Sequence, residues 1–309
     1  GAFNVSAANV SLGTGSSLAV ANGIQGVDGS AVAMTIDGAT ITSTGGTAIN
    51  FANQNDNLTI SGTSAITGNI NAGAGNDTLN LRAATLTLNN NVTFSNFENL
   101  NIAGTNIVNG NVKLENVVSV SAGQGSVLEV NGTLNMPSLQ LGNQFTLNGN
   151  LTLNSNLIAG NGSVLSAGAA GSGIGTMTVN GGIKFEQGST LIVDVNNSNH
   201  DEIVVNNGQV EIIQGANLVI NPVHQVSGSI KMLQVNNGSI VGNFSNVLSN
   251  SGGNITLVYY ENNPDSNYAS LNAVTLNTDV ISSQVQSSVD NSILFSDTLN
   301  KQIARSAFN

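Results

Sequence analysis

The chain has 309 residues, a formal net charge of −11, 36 glycines, three prolines, and neither cysteine nor tryptophan. The lack of cysteine excludes a disulfide framework, a cysteine-ligated metal site and a thiol nucleophile. Six lysines and arginines are scattered along the sequence, and they form no basic stripe that would neutralise phosphates, so we expect no nucleic-acid partner. Charged residues make up 7%, against about 25% in typical globular proteins. Solubility must therefore come from neutral polar side chains.

From about residue 57 onward, apolar residues recur as i, i+2 pairs, and Asn, Gly and Ser fill the roughly 5 to 10 residues between pairs. Period two indicates β-strands, and these separators favour tight turns. We therefore predict very short strands that coil into a solenoid with three faces per turn. At roughly 18 to 22 residues per turn, the chain to about residue 270 would make on the order of 12 to 14 turns. Examples of the pairs are Leu79/Leu81, Leu86/Leu88, Leu100/Ile102, Val112/Leu114 and Leu151/Leu153.

Asparagine occupies about one position in six, far above its ordinary usage. It often stands beside or between the apolar pairs, as at Asn80, Asn101 and Asn154. In a solenoid such residues recur at the same place in successive turns. We predict that their amides hydrogen-bond along the stack, like the amide ladders of cross-β structures.

The segment from about residue 172 to 247 has longer strands and most of the charge, as expected for a polar cap on the end of a solenoid. Five of its segments, in this order and spacing, resemble the C-terminal cap of autotransporter passenger domains over about 75 residues. The N-terminal two thirds of the chain resembles these domains only in its general pattern of short strands. The five segments are 171–181 (GSGIGTMTVNG), 188–195 (GSTLIVDV), 201–205 (DEIVV), 217–220 (NLVI), and 233–235 (LQV) with 242–244 (GNF).

The resemblance implies a right-handed parallel β-helix, type V secretion from a Gram-negative bacterium, and a location outside the cell or on its surface. It also implies a cap that helps nucleate folding, the autochaperone region, and a translocator barrel as a partner. We expect that barrel to lie outside this chain, because aromatic residues make up only 4% and outer-membrane barrels carry aromatic girdles.

A third pattern begins at Asp279, where Ile281, Val285, Val289 and Ile293 recur every four residues without Gly or Pro. This spacing predicts an amphipathic helix. The predicted fold is therefore all-β, a three-faced parallel β-helix with a C-terminal β cap and a terminal amphipathic α-helix. Its predicted parts are the β-helix turns at 1–170, the cap at 171–276, and a helical linker toward the barrel at 277–309.

Catalytic residues are few. A Ser-His-Asp site needs an activated serine, but the Gly-x-Ser-x-Gly elbow is absent, and His200 and His224 are interpreted as turn or loop residues. A glycosidase needs two carboxylates about 5 to 10 Å apart. Glu98, Glu115 and Glu129 would supply them only if their turns stack, and we interpret them as solvated corners. We therefore expect no enzymatic activity and no cofactor.

Residues 73–79 (GAGNDTL) resemble one unit of the calcium-binding nonapeptide repeat, in which oxygens of successive turns share an ion. Asp77 is the calcium candidate in this unit. Only one copy is present, whereas a shared site needs at least two, so we prefer to interpret the segment as a tight β-helix corner and expect no metal.

With catalysis and metal binding set aside, the function we expect is recognition of a partner through the protein surface. The first hypothesis is a virulence-associated recognition protein that engages a host-cell receptor or matrix through one face of the rod. The alternative is self-association in aggregates or biofilms through Asn/Thr-rich flanks, and a polysaccharide-cleaving β-helix enzyme ranks third. Because low charge gives little electrostatic steering, contacts should rest on shape, hydrogen bonds and aromatic patches. The candidate binding residues are Tyr259, Tyr260 and Tyr268.

Overall fold

The computed structural model describes residues 3–5, 9–26, 29–142, 144–170, 173–196, 199–222, 228–249, 254–263 and 268–276. All regular elements in these ranges are β-strands, so no helix of the described chain is long and apolar enough to cross a membrane.

The first nine strands are β1 (Phe3–Val5), β2 (Asn9–Leu12), β3 (Ser17–Val20), β4 (Ile24–Gly26), β5 (Ala33–Asp37), β6 (Thr40–Asn50), β7 (Asn57–Asn71), β8 (Thr78–Ser95) and β9 (Asn99–Ala103). The next nine are β10 (Thr105–Leu114), β11 (Ser119–Ala122), β12 (Val127–Leu141), β13 (Thr146–Asn148), β14 (Leu151–Ala159), β15 (Val164–Ser166), β16 (Thr176–Asn180), β17 (Ile183–Phe185) and β18 (Thr190–Asn196). The last nine are β19 (Asn199–His200), β20 (Glu202–Asn206), β21 (Val210–Ile212), β22 (Asn217–Pro222), β23 (Gly228–Asn236), β24 (Ile240–Gly242), β25 (Asn246–Ser249), β26 (Asn254–Asn263) and β27 (Tyr268–Leu276).

Parallel pairing stacks these strands into a β-solenoid of about 9 turns, which confirms the predicted architecture. Each turn contributes one strand segment to each of three columns. In chain order these are column A (for example 57–61, 78–82 and 99–103), column B (63–67, 84–89 and 105–109) and column C (69–71, 92–95 and 111–114). At about 4.8 Å per turn, the stack is about 40 Å long.

Two details of the prediction are wrong. The strands are not all very short: β8 has 18 residues, because it bends around corners at Ala83 and Asn90, where φ is +49° and +68°, without losing its pairing. The turns are also fewer than predicted. Their length rises from 18 residues between Thr146 and Val164 to 30 between Ile203 and Leu233, so the same chain makes fewer of them.

The core is a central row of apolar side chains, because alternate strand residues point inward. In column A, Leu58, Leu79 and Leu100 occupy the same register position in successive turns, and all three are buried. Burying such a side chain stabilises the fold by about 2 kcal/mol. Each turn thus depends on its neighbours for burial.

Amide ladders run along the stack, as the sequence predicted. In the first, Asn154 donates to Asn135, Asn180 to Asn154 (2.6 Å), Asn206 to Asn180 (3.0 Å), and Asn236 to Asn206 (2.9 Å). A second ladder links Gln25, Asn50, Asn71, Asn96 and Asn116 with distances of 2.8 to 3.1 Å.

The parallel columns continue across residue 170, since Leu153 pairs with Val179 and Val164 pairs with Thr190. Antiparallel pairing of long strands enters only with β27, which lies between β23 and β26. The division of the chain at 170/171 and at 276/277 remains a prediction, and the predicted amphipathic helix lies outside the described residues.

Candidate functional site

A column of acidic side chains lies at the corner that precedes column A. Asp56 accepts the backbone N–H of Val32 at 2.6 Å, Asp77 accepts that of Asp56 at 2.6 Å, and Glu98 accepts that of Asp77 at 2.7 Å. Each carboxyl group thus bonds to the backbone of the turn before it. The side chains of Asp56 and Asp77 are buried, and the Oδ2 atom of each has no hydrogen-bond partner.

Burial is the main reason why the pKa of Asp77 is raised to about 6; the N–H of Asp56 opposes this shift, and the charges of Asp56 and Glu98 add to it. Burial also raises the pKa of Asp56. A stacked pair of buried carboxyl groups favours the protonated form, since two adjacent carboxylates repel each other and have lost their water.

Asp77, the predicted calcium candidate, therefore lies in a buried corner between β7 and β8 and is engaged by the backbone. Gly73 in the same segment has a φ of +91°, as the interpretation as a tight corner requires. No group of three or more His, Asp or Glu side chains in the described ranges is placed to hold a metal ion.

Asp201 forms a second buried acidic centre. Its Oδ1 accepts the N–H of Gly175 at 2.9 Å, and its Oδ2 accepts the N–H of Asp194 at 3.0 Å and the hydroxyl of Ser166 at 3.4 Å. Burial raises the pKa of Asp201 to about 7, and the nearby Asp194 carboxylate contributes. One side chain thereby joins β15, β18 and the segment that leads into β16.

His200 directly precedes Asp201 in the chain. Its Nε2 lies 2.9 Å from the backbone carbonyl oxygen of Lys231, whereas the Asp201 carboxyl group is engaged by the three groups named above. His224 lies outside the described residues.

The three candidate glutamates lie at different positions of the turn: Glu98 before column A, Glu115 after column C and Glu129 within column B. Glu115 is partly exposed and pairs with Lys113. The interpretation of Glu129 as a solvated corner is wrong, because its side chain is only 7% exposed. It accepts the N–H of Ala170 at 3.1 Å and the amide of Asn131 at 3.0 Å, so it ties the turn near residue 170 to column B.

The candidate tyrosines lie on the antiparallel strands at the C-terminal end. In the backbone register Tyr259 pairs with Leu271, Tyr260 with Ser270, and Tyr268 with both Asn263 and Asn236. The three residues are thus on two neighbouring strands, and their role in binding remains a prediction.

The sequence did not reveal a break in column A. β11 pairs with β9, but the next segment of the column, 138–141, pairs with β14 and not with β11. A cleft of about 510 Å³ lies between the two segments, and we call it the column-A cleft. Two signals in the sequence mark it: Val117 and Val118 directly before β11, and Pro137, which lacks an N–H, directly before 138–141.

No protein-family model matches the chain, and no curated protein matches it either. Membership of the autotransporter family therefore stays a prediction, which rests on the resemblance of the C-terminal segments.

Proposed function

We propose that this chain is the passenger of a Gram-negative autotransporter, and that it acts outside the cell by recognising a host-cell surface protein or matrix. The observation that carries the proposal is the combination of a long parallel β-solenoid with antiparallel strands at its C-terminal end. The resemblance implies a parallel β-helix with a β cap at its C-terminal end, and the antiparallel strands lie at that end. Its partner in the bacterial outer membrane would be a translocator barrel.

A binding role fits the described side chains better than a catalytic one. The acids and the histidine that a reaction would use are engaged: Asp77 and Glu129 with backbone N–H groups, Glu115 with Lys113, and His200 with a backbone carbonyl. By contrast, the outward-facing residues of the strands are mainly neutral and polar, for example Thr59, Thr87 and Thr93 on columns A, B and C. A recognised partner would therefore contact shape and hydrogen-bonding groups, with little electrostatic steering.

The test is binding of the purified chain to host cells and to immobilised matrix, with one lysine introduced on each face. Thr59→Lys alters column A, Thr87→Lys column B and Thr93→Lys column C. If one face is the contact, the corresponding variant should weaken binding, because its charge must be desolvated, and the other two variants serve as matched controls.

His200→Ala and Glu98→Gln should leave binding within a few tenths of a kcal/mol. Loss of activity in either variant, with unchanged circular dichroism, would contradict a binding role and favour catalysis. A rise of scattering mass with concentration, without binding to cells or matrix, would instead favour self-association.

A further inference from the structure

The column-A cleft separates two strand segments that occupy successive turns of one column. On one side, β11 is bonded to β9 through Ser119 N–H to Glu98 O and Gly123 N–H to Ile102 O. On the other side, Gly160 N–H bonds to Leu141 O, which ties 138–141 to β14. No pairing between β11 and 138–141 is described.

Both segments direct backbone groups into the cleft. The N–H and C=O of one strand residue point to the same neighbour, and the direction alternates along the strand. Since the backbone N–H groups of Ser119 and Gly123 point to β9, the backbone N–H and C=O groups of Val120 and Ala122 point to the cleft. By the same alternation, the backbone C=O of Leu141 points to β14, so the backbone N–H and C=O groups of Ser138 and Gln140 point to the cleft from the other side.

An open edge of this kind is unusual, because unpaired strand edges are templates for added strands and proteins normally cover them. Here the edges also expose apolar surface. Val118, at the rim, is 85% exposed, and Val120 and Ala122 are only half-buried, whereas Leu100 and Ile102 at the same register positions one turn earlier are buried.

The size and lining of the cleft fit one strand. Four residues of β-strand fill roughly 600 Å³, from a rise of about 3.3 Å, a strand spacing of about 4.8 Å and a sheet thickness of about 10 Å. The cleft has about 510 Å³. Its described lining residues are uncharged and include Val118, Ser121, Gln140 and, at its base, Phe145.

We propose that the column-A cleft binds an extended, uncharged peptide of a partner protein as an added β-strand. Backbone hydrogen bonds to β11 and to 138–141 hold the strand, as in β-augmentation. Its side chains follow the apolar-polar-apolar order of the neighbouring turns, such as Leu100-Asn101-Ile102, so that its apolar residues cover Val120 and Ala122. The proposal does not depend on where the protein acts.

The probe is a fluorescent peptide with the sequence of residues 99–103 (NLNIA), and the control is the same peptide with N-methylated Leu and Ile amides. Anisotropy with the purified full chain should show saturable binding of the first peptide and at least tenfold weaker binding of the second. Equal binding of the two would overturn the proposal, since side-chain contact alone would then explain it.

Val120→Pro removes an N–H that faces the cleft and leaves the bonds to β9 in place. We expect at least tenfold weaker binding with an unchanged circular dichroism spectrum. Leu248→Pro is the matched control: it lies on β25, whose described strand pairing is with β22 alone, and it should bind the peptide as the original chain does.

Hydrogen exchange of the unaltered chain tests the proposal without any variant. The amides of Val120, Ala122 and Gln140 should exchange rapidly in the free protein and become protected when the peptide is added. Protection already present in the free protein, or none with saturating peptide, would overturn the proposal. Protection that grows with protein concentration alone, together with dimers in sedimentation, would show that a second copy occupies the cleft and would equally overturn it.

Discussion

At the residue scale, the chain buries carboxyl groups in two different hydrogen-bonding environments. Asp77 uses one oxygen and leaves the other without a partner, whereas both oxygens of Asp201 accept hydrogen bonds. An amide in place of the carboxyl group keeps one acceptor and adds a donor. The same substitution should therefore have opposite effects at the two positions.

Asp77→Asn should stabilise the protein near pH 7.5. Because the folded-state pKa of Asp77 is raised to about 6 from 3.8, its contribution to stability is full below pH 3.8 and is lost as the pH rises through about 6. The amide never ionises, and its oxygen still accepts the N–H of Asp56. We expect a gain of the order of 1 kcal/mol at pH 7.5 that disappears at pH 4.

Chemical denaturation at both pH values measures this difference. Asp37→Asn, which removes an exposed charge at the end of a column-A strand, controls for the change in net charge. A gain of equal size at pH 4 and pH 7.5 would show that ionisation of Asp77 is not its cause.

Asp201→Asn should destabilise the protein. The new amide N–H group would face either the N–H of Gly175 or that of Asp194, and one of these buried donors would lose its acceptor. An unsatisfied buried donor costs about 1 to 3 kcal/mol. The measurement is best made at pH 8, where Asp201, with a pKa of about 7, is mostly ionised and has lost the stability of its protonated form. A neutral effect or a gain there would contradict this prediction, because relief from the buried charge would then match or outweigh the lost hydrogen bond.

At the scale of the strand and its corner, the regular stacking of the strands depends on contacts that repeat from one turn to the next. The sequence predicted the inward pairs and the amide ladders because both follow from period two and from residue type. It did not predict where two faces merge into one strand, since a corner such as Asn90 differs little in composition from its flanks.

Asn180→Ala removes the centre of the first ladder, where Asn180 donates to Asn154 and accepts from Asn206. Two exposed amide bonds are lost, so we expect the free energy of unfolding to fall by about 1 kcal/mol. Thr178→Ala, two residues earlier on β16, is the matched control for shortening a side chain on that strand. Equal losses in the two variants would mean that the ladder adds nothing beyond strand propensity.

Gly73→Ala tests a corner. The φ of +91° is unfavourable for alanine, and the added Cβ would lie 1.7 Å from the carbonyl oxygen of Ala52, so the backbone of two turns must move. We expect a loss of about 2 to 4 kcal/mol in denaturation. In Gly13→Ala the Cβ meets nothing within 4 Å, and this change should be nearly neutral.

At the scale of the whole molecule, the solenoid was predictable because its signal repeats along most of the chain. The number of turns was not, because turn length varies from 18 to 30 residues and depends on corner loops that carry no period. Of the candidate sites, Asp77 was found through its glycine-rich corner. The column-A cleft was missed because it is a missing backbone pairing, and Val117, Val118 and Pro137 point to it only once the pairing of the neighbouring strands is known.

The two ends of the stack differ, and truncation should reveal it. Removing residues 1–50 shortens the parallel columns, and the new N-terminal end is again a turn of parallel strands. We therefore expect a less stable protein that still refolds. Removing residues 228–276, a segment of nearly equal length, deletes the antiparallel strands at the C-terminal end and leaves β20 without its partner β23. It also deletes four buried side chains, those of Ile230, Met232, Leu233 and Val235. Stacked repeats need a capping end for solubility, so this variant should aggregate or fail to refold from denaturant, as followed by circular dichroism and light scattering. Comparable refolding of the two variants would show that the antiparallel strands are not needed as a cap.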